Sequence, residues 1–388
     1  MTTDARQSLD RAAARPARWR RLNPATVVMW REPDVVQLEL GEKRVTVSNV
    51  CPEYLSALMP RTGRLPDAQP AGSDAFPDRP FPDGPFPDGP DPDGRAPARP
   101  RPLHGAALEL AEELGRVGFL TRPVPRRLPP ALPAYLNAEF GALLGRYGDD
   151  AAEVLARRRR ATVAVHGTSR ITSTVAATLA GAGVGRVHLV DGGDVAAADN
   201  CPGGLSHADE GARFGVAGVA AIRRSSPDVV TTLGNARFAD LVILTDPAPV
   251  EPTVRDSLHL DGLPHLSAAV HGSGAVVGPL VIPGRTSCLR CADLHRSERD
   301  PCWPVLAAQL AARARQRTIS ETALCVAAAG LAAGQALGFL DGQRPETLGG
   351  TVEWQLPHWR LRRRSWPPHH ECGCGATVNP LEDGRMGP

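Results

Sequence analysis

The residues with most chemistry to offer are four cysteines in two pairs, CLRC over 288–291 and CGC over 372–374. Thiolates at C-x-x-C and C-x-C spacing each supply two corners of a tetrahedral site. Four sulfurs leave no open position for water, so Cys288, Cys291, Cys372 and Cys374 read as a closed, structural zinc site. About eighty residues separate the pairs, and such an ion would tie the C-terminal tail back onto the body of the chain. His369 and His370 stand just ahead of the second pair as alternatives to one sulfur. Clustering at these short spacings favours metal ligation over a disulfide framework in a reducing compartment. Cys51, Cys201, Cys302 and Cys325 read as isolated thiols, with Cys302 beside Trp303 assigned to a core.

A second set of residues has the types and positions to meet a nucleotide. The stretch HGTSRIT over 166–172 follows the apolar run ATVAV at 161–165, where a dinucleotide or ATP fold carries several glycines. Those glycines let the backbone come close to phosphate at a helix N-terminus, whose unpaired N–H groups bind anions. Only Gly167 is present, so the turn is either a thinned phosphate loop or a strand-to-helix connection that binds nothing. Asp191 ends RVHLVD, 24 residues after Gly167, where an acidic residue takes ribose hydroxyls or caps a turn. Asp246 ends ADLVILTD at 239–246 and belongs at the carboxyl edge of a sheet, where open α/β folds bind ligands. Lys43 is the single lysine among 44 basic residues. Any phosphate contact in the second half must therefore come from an arginine such as Arg170 or Arg213.

The elements needed to hold these residues are legible in the hydrophobic pattern. A buried-strand run at 161–165, a helix over 173–183 and a strand over 186–191 make a βαβ unit. A strand at 239–246, another at 263–270 and an Ala-rich helix at 322–340 continue an α/β layout, for which a parallel sheet is the expectation. Upstream, short β-rich runs at 26–30, 35–40 and 44–48 predict a three-stranded meander, followed by helical spacing at 51–59 and 103–120. Together these form a small winged-helix-like α+β module over 22–121. Between its helices, about 62–102, a repeat of F-P-D-G-P type with a five-residue period cannot pack as a regular element. Residues 1–21 read as a disordered tail, 122–160 as a linker region whose basic run 157–160 is a solvated helix end, and 377–388 as a second tail.

Taken in order, these segments over 161–376 resemble the ThiF, MoeB and HesA family, whose members activate the C-terminal carboxylate of ubiquitin-like carrier proteins by adenylation. The resemblance rests on AGAGVGRVHLVD at 180–191, DLVILTD at 240–246, HLSAAV at 265–270 and GPLVIPGRTSCLRC at 278–291, then the Ala/Gly-rich helix and the closing cysteine pair. It implies a Rossmann-like ThiF-type sheet with helices on both faces and a structural zinc site. It also implies ATP with magnesium as cofactor, Asp191 at the ribose, Gly167 as the remnant of the glycine loop, and Asp246 as the catalytic aspartate near the metal and the α-phosphate. The family's Asn-Leu-x-Arg-Gln stretch is replaced by DNCPG at 199–203, and its phosphate-contacting lysine falls near Gly218. Adenylation is accordingly expected to be weak or lost. The N-terminal module and the terminal ECGC at 371–374 are most similar to actinobacterial ThiF-like proteins and to the leader-peptide-binding partners of the cyclodehydratases that make azole-containing peptides. That likeness implies a peptide or carrier-protein partner, a catalytic partner subunit and a homodimer, with peptide recognition by strand addition in the N-terminal module.

Bulk properties narrow the alternatives. A net charge of +2 gives no electrostatic case for nucleic acid, and the scattered basic residues of 26–120 do not make a DNA-binding winged helix. No uninterrupted apolar run of about 18–20 residues predicts a membrane span, and no signal peptide is read, so a cytoplasmic location is expected. Two other readings remain at this level. One is a working adenylyltransferase acting on a carrier protein. The other is a nicotinamide or flavin enzyme, which needs the missing glycines even more.

Overall fold

In a computed structural model the described residues are 21–23, 25–32, 34–48, 50, 55, 58–59, 106–121, 132–190, 192–234, 238–246, 249–313 and 319–376. Residues 1–20, the five-residue repeat, Cys51, Asp191 and the tail 377–388 lie outside them. The chain forms two compact units, Met1–Val154 and Leu155–Pro388.

In the first unit β1 (Arg21–Leu22) pairs antiparallel with β5 (Leu120–Thr121), so Arg21, a residue expected in the tail, is part of a strand pair. β2 (Val27–Glu32), β3 (Val35–Leu40) and β4 (Lys43–Val47) form the expected antiparallel meander in chain order. The period of two on β3 turns Val36, Leu38 and Leu40 inward. They meet Leu55, Leu58, Leu110, Leu114 and Phe119, three of them on or beside the amphipathic helix α1 (Ala106–Arg116). Within 122–160 two helices stand in the expected linker region, α2 (Asn137–Tyr147) and α3 (Ala151–Arg160).

The second unit is built on a seven-stranded sheet. Its strands are β6 (Thr162–His166), β7 (Arg186–Leu189), β8 (Leu241–Leu244), β9 (His265–His271), β10 (Gly274–Val281), β11 (Gly350–Gln355) and β12 (Arg362–Ser365), in the order β12-β11-β10-β9-β8-β6-β7. The expectation of a parallel sheet holds only for β7, β6, β8 and β9. From β9 onward the described strands pair antiparallel with one another. Only Gly272 and Ser273 separate β9 from β10, and two residues can turn a hairpin but cannot carry a parallel crossover.

Helices cover both faces, as the strand alternation requires. Val163 and Val165 on β6, with Leu241 and Ile243 on β8, enter a core shared with α4 (Thr172–Gly181) and α9 (Thr322–Leu340). Ala164, Val242 and Leu244 on the same strands turn the other way, toward Leu258 of α6 (Pro252–Leu260) and Leu289 of α7 (Leu289–Arg299). Strands buried on both sides read as continuous apolar runs, which is why they were legible. The remaining helices are α5 (Phe214–Ser225), packed on α4, and α8 (Trp303–Arg313).

Helix α9 is long and apolar enough to cross a membrane by length and composition, contrary to the expectation that no segment qualifies. Its Ala328, Ala329, Ala332, Ala333 and Ala336 are buried in the sheet's core, where small side chains allow close approach. The basic run also departs from expectation. Arg158 is buried, and its guanidinium forks onto both carboxylate oxygens of Asp341 at 2.7 Å each, with a third bond of 3.2 Å to the Ala182 carbonyl. Gly185 makes room for this tie, because a Cβ there would run into the Arg159 carbonyl. Within AGAGVG, Gly185 thus serves close backbone packing against the end of α3.

His265, at the start of β9, is buried with Nδ1–H donated to the Leu263 carbonyl at 2.9 Å, while Nε2 has no partner. Burial pushes its pKa down to about 4. An unfolded chain takes up a proton near pH 6.5 that the folded chain refuses until about pH 4. Stability from this group is therefore complete above pH 6.5 and is lost as pH falls toward 4, by about 3 kcal/mol. His265→Leu should flatten that acid limb in denaturant titrations at several pH values; an unchanged limb would show that other groups carry it.

Candidate functional site

Cys288 caps the N-terminus of α7 and Cys291 lies in its first turn, so the C-x-x-C spacing brings both sulfurs to one helix end, 3.8 Å apart. The tail returns Cys372 to 3.6 Å from Cys288 and Cys374 to 3.6 Å from Cys291. All four sulfurs lie within 4.8 Å of one another. A tetrahedron with metal–sulfur bonds of about 2.3 Å has edges of about 3.8 Å. The group therefore has the donors and spacing to hold a metal ion. Cys291 is fully buried, and the Cys288 thiol donates toward its sulfur. This draws the Cys291 pKa down to about 4 and pushes that of Cys288 up.

Neither histidine takes a corner. The His369 backbone N–H points at the Cys291 sulfur at 3.4 Å, a contact typical of thiolate sites. Its Nδ1 accepts the Glu371 N–H at 3.1 Å, which leaves the proton on Nε2, 2.9 Å from the Glu298 carboxylate. Both ring nitrogens are thus committed, and His370 is exposed. Cys201 and Cys325 are buried thiols, whereas Cys302 is exposed and not part of a core. The reason is that α8 lies open along most of its length, with Val305, Leu306 and Leu310 exposed.

The second cluster sits at the carboxyl ends of β6 and β8. The chain leaves β6 toward β7 on one side and returns to β8 on the other, so this is the point where strand order reverses and open α/β sheets form a crevice. Gly167, at φ 126°, follows β6. A Cβ on it would collide with Thr245 and Asp246, so only glycine fits. Asp246 does not stand apart from the loop: its Oδ1 accepts the Thr168 backbone N–H at 2.9 Å. Behind it Thr245 donates to the His166 carbonyl at 2.8 Å and shares a 2.7 Å bond with Thr172 at the start of α4. Burial raises the Asp246 pKa although part of the side chain meets solvent, and the Thr168 N–H offsets some of that rise. Asp191 is outside the described residues, but its neighbour Gly192 lies against Thr168.

The arginines expected to replace a lysine are placed otherwise. Arg170 spends Nε and Nη2 on the Asn200 carbonyl, Nη2 also on Thr322, and Nη1 on the Ser320 carbonyl. It is a strut between loops. Arg213 is solvent-exposed, 3.6 Å from Asp194. Gly218, where the family's lysine falls, is buried on α5, and a Cβ there would press on Leu189 and Ser173.

Architecture and site together define a Rossmann-like α/β unit of mixed sheet with helices on both faces and a tetrathiol group. No protein-family profile matches the sequence, and no curated protein does. Among solved structures the chain is similar to E. coli MccB with AMPCPP and MccA, at a TM-score of 0.62 and 14% identity, covering 92% of this chain and 99% of that one. It is likewise similar to the microcin C7 biosynthetic enzyme MccB in complex with N-formylated MccA, at a TM-score of 0.59 and 15% identity over 92% and 99% of the two chains. PaaA is a third, at 0.53 and 16%, covering 66% of this chain and 91% of that one. At these identities the likeness is one of fold.

Proposed function

We propose that this chain is a ThiF-type recognition protein that binds a peptide or the tail of a carrier protein, carries a structural zinc ion on Cys288, Cys291, Cys372 and Cys374, and adenylates weakly or not at all. The observation that carries the proposal is the contact between Asp246 and the Thr168 N–H. In a nucleotide loop that N–H faces the ligand. Here a carboxylate of the same chain takes it, and a phosphate would have to displace that carboxylate or lie against it. The filled position at Gly218 and the engagement of Arg170 support the same reading. The peptide half draws on the MccA complexes of the structural neighbours and on β4, which pairs with β3 alone among the described residues. An open edge of this kind accepts a peptide strand. A winged-helix-like role for this module, a homodimer and a separate catalytic subunit belong to the same proposal.

Calorimetry with ATP and magnesium tests it on the intact protein, on Asp191→Ala and on Asp246→Ala. The expected result is no saturable heat at millimolar ATP in any of the three. Saturable binding by the intact protein that either substitution removes would replace this reading with an active adenylyltransferase acting on a carrier tail.

A further inference from the structure

The seven-stranded sheet ends on β12, and among the described residues nothing pairs with its outer side. Residues 357–370, PHWRLRRRSWPPHH, hold four arginines, three histidines and no acidic residue. All four residues of β12 are exposed. Arg363 is tied to the Glu346 carbonyl at 2.9 Å and to Ser365 at 2.7 Å, and Arg364 pairs with Glu353 at 3.5 Å. The guanidinium groups of Arg360 and Arg362 have no hydrogen-bond or ion-pair partner among the described residues. At the approach to the strand Trp359 is 44% exposed in the left-handed region at φ 52°, and Leu361 is 65% exposed.

Charge on an edge strand ordinarily guards against pairing with another copy. That explains the arginines but not Trp359 and Leu361, which put apolar surface into water beside them and, at Trp359, in a backbone conformation that side chains resist. The direction of the backbone groups is fixed as well. The Trp366 N–H donates to the Gly349 carbonyl at 2.9 Å. By the period of two, the N–H groups of Arg362 and Arg364 face β11, and those of Arg363 and Ser365 face outward.

We propose that the outer edge of β12 is a docking edge for an acidic, extended segment of a partner protein, which adds to the sheet as an eighth strand. Backbone bonds run to Arg363 and Ser365, acidic side chains pair with arginines on either face, and an apolar residue packs on Trp359 and Leu361. A second copy of β12 is disfavoured because antiparallel self-pairing sets arginine against arginine. The proposal concerns a different sheet edge from the peptide site above and does not depend on it.

The test uses the full chain at low salt and a fluorescein-labelled extended peptide of alternating Glu and Val, with an alternating Lys and Val peptide as control, read by anisotropy. The acidic peptide is expected to bind saturably with a sub-millimolar Kd and to weaken as salt rises, and the basic one not to bind. The double variant R362E/R364E should weaken binding by about tenfold or more. R363P, which removes an outward N–H and spares the bonds to β11, should weaken it comparably, with circular dichroism unchanged. No binding, equal binding of both peptides, or undiminished affinity in R362E/R364E overturns the proposal. So does arginine-dependent binding to phosphatidylserine vesicles without binding to the peptide, which would assign the edge to a membrane surface.

Discussion

Full-length Cys291→Ser protein is expected to lose its metal ion and, with it, the cooperative unfolding of the Leu155–Pro388 unit. Cys291 is the most deeply buried of the four sulfurs and meets Cys288, Cys374 and the His369 N–H. A hydroxyl there is a poor ligand for a soft-preferring site and leaves three thiols without their ion. A structural zinc contributes on the order of 10 kcal/mol to folding, comparable with a domain's entire margin of about 5–15 kcal/mol. Bound there, the ion would also hold the segment carrying Trp366 and His369 against α7, so its loss should loosen that segment. Metal analysis should find one zinc per intact chain and none in Cys291→Ser, and the thermal transition of this unit should disappear or fall steeply. Cys302→Ser, at an exposed thiol away from the cluster, should change neither. Less than half an equivalent of zinc in freshly purified protein, or an unaltered melt in Cys291→Ser, sinks the assignment.

The second large effect is expected at Asp341. Its carboxylate lies fully buried at the end of α9 and receives two parallel bonds from Arg158, while its backbone carbonyl accepts from Arg157 at 3.0 Å. Asp341→Ala leaves the Arg158 guanidinium buried without this counter-ion, which costs about 3–5 kcal/mol. The paired replacement Arg158→Met with Asp341→Leu removes both charges and should recover most of that loss, because desolvation of the ions falls away with them. Urea titrations followed by a probe in the second unit give both values. A loss below about 1 kcal/mol in Asp341→Ala would mean that water reaches the pair and screens it.

How far the sequence spoke for itself follows from the kind of interaction concerned. β6 and β8, buried on both faces, had to be apolar nearly throughout, while β7 and the meander β2 to β4 showed as short β-rich runs between turn-formers, so all were legible within a residue or two. Spacings of C-x-x-C and C-x-C confine each pair of sulfurs to a small volume through local chain geometry, so the four cysteines stand out in the sequence as one candidate group. Ligand-facing positions for Gly167, Asp191 and Asp246 were suggested by their places after strands, and the catalytic role of Asp246 by family likeness.

Long-range neighbours were decided by tertiary structure alone. Nothing local tells that Arg158 meets Asp341, 183 residues away, because arginine in a basic run is usually solvated. No periodicity shows that the Asp246 carboxylate reaches the Thr168 N–H across two parallel strands, or that His369 spends both ring nitrogens outside the cysteine group. The antiparallel half of the sheet was hidden because a strand's pattern reports burial and not direction; the two residues before β10 force a hairpin, whereas the long connection before β11 leaves either direction open. The sequence by itself determined four of the seven strands of the α/β unit, β6 to β9, together with a separate three-stranded meander and a group of four sulfurs. Their juxtaposition, and with it the state of the crevice and the open basic edge of β12, came only from the packed chain, where contacts distant in sequence are made.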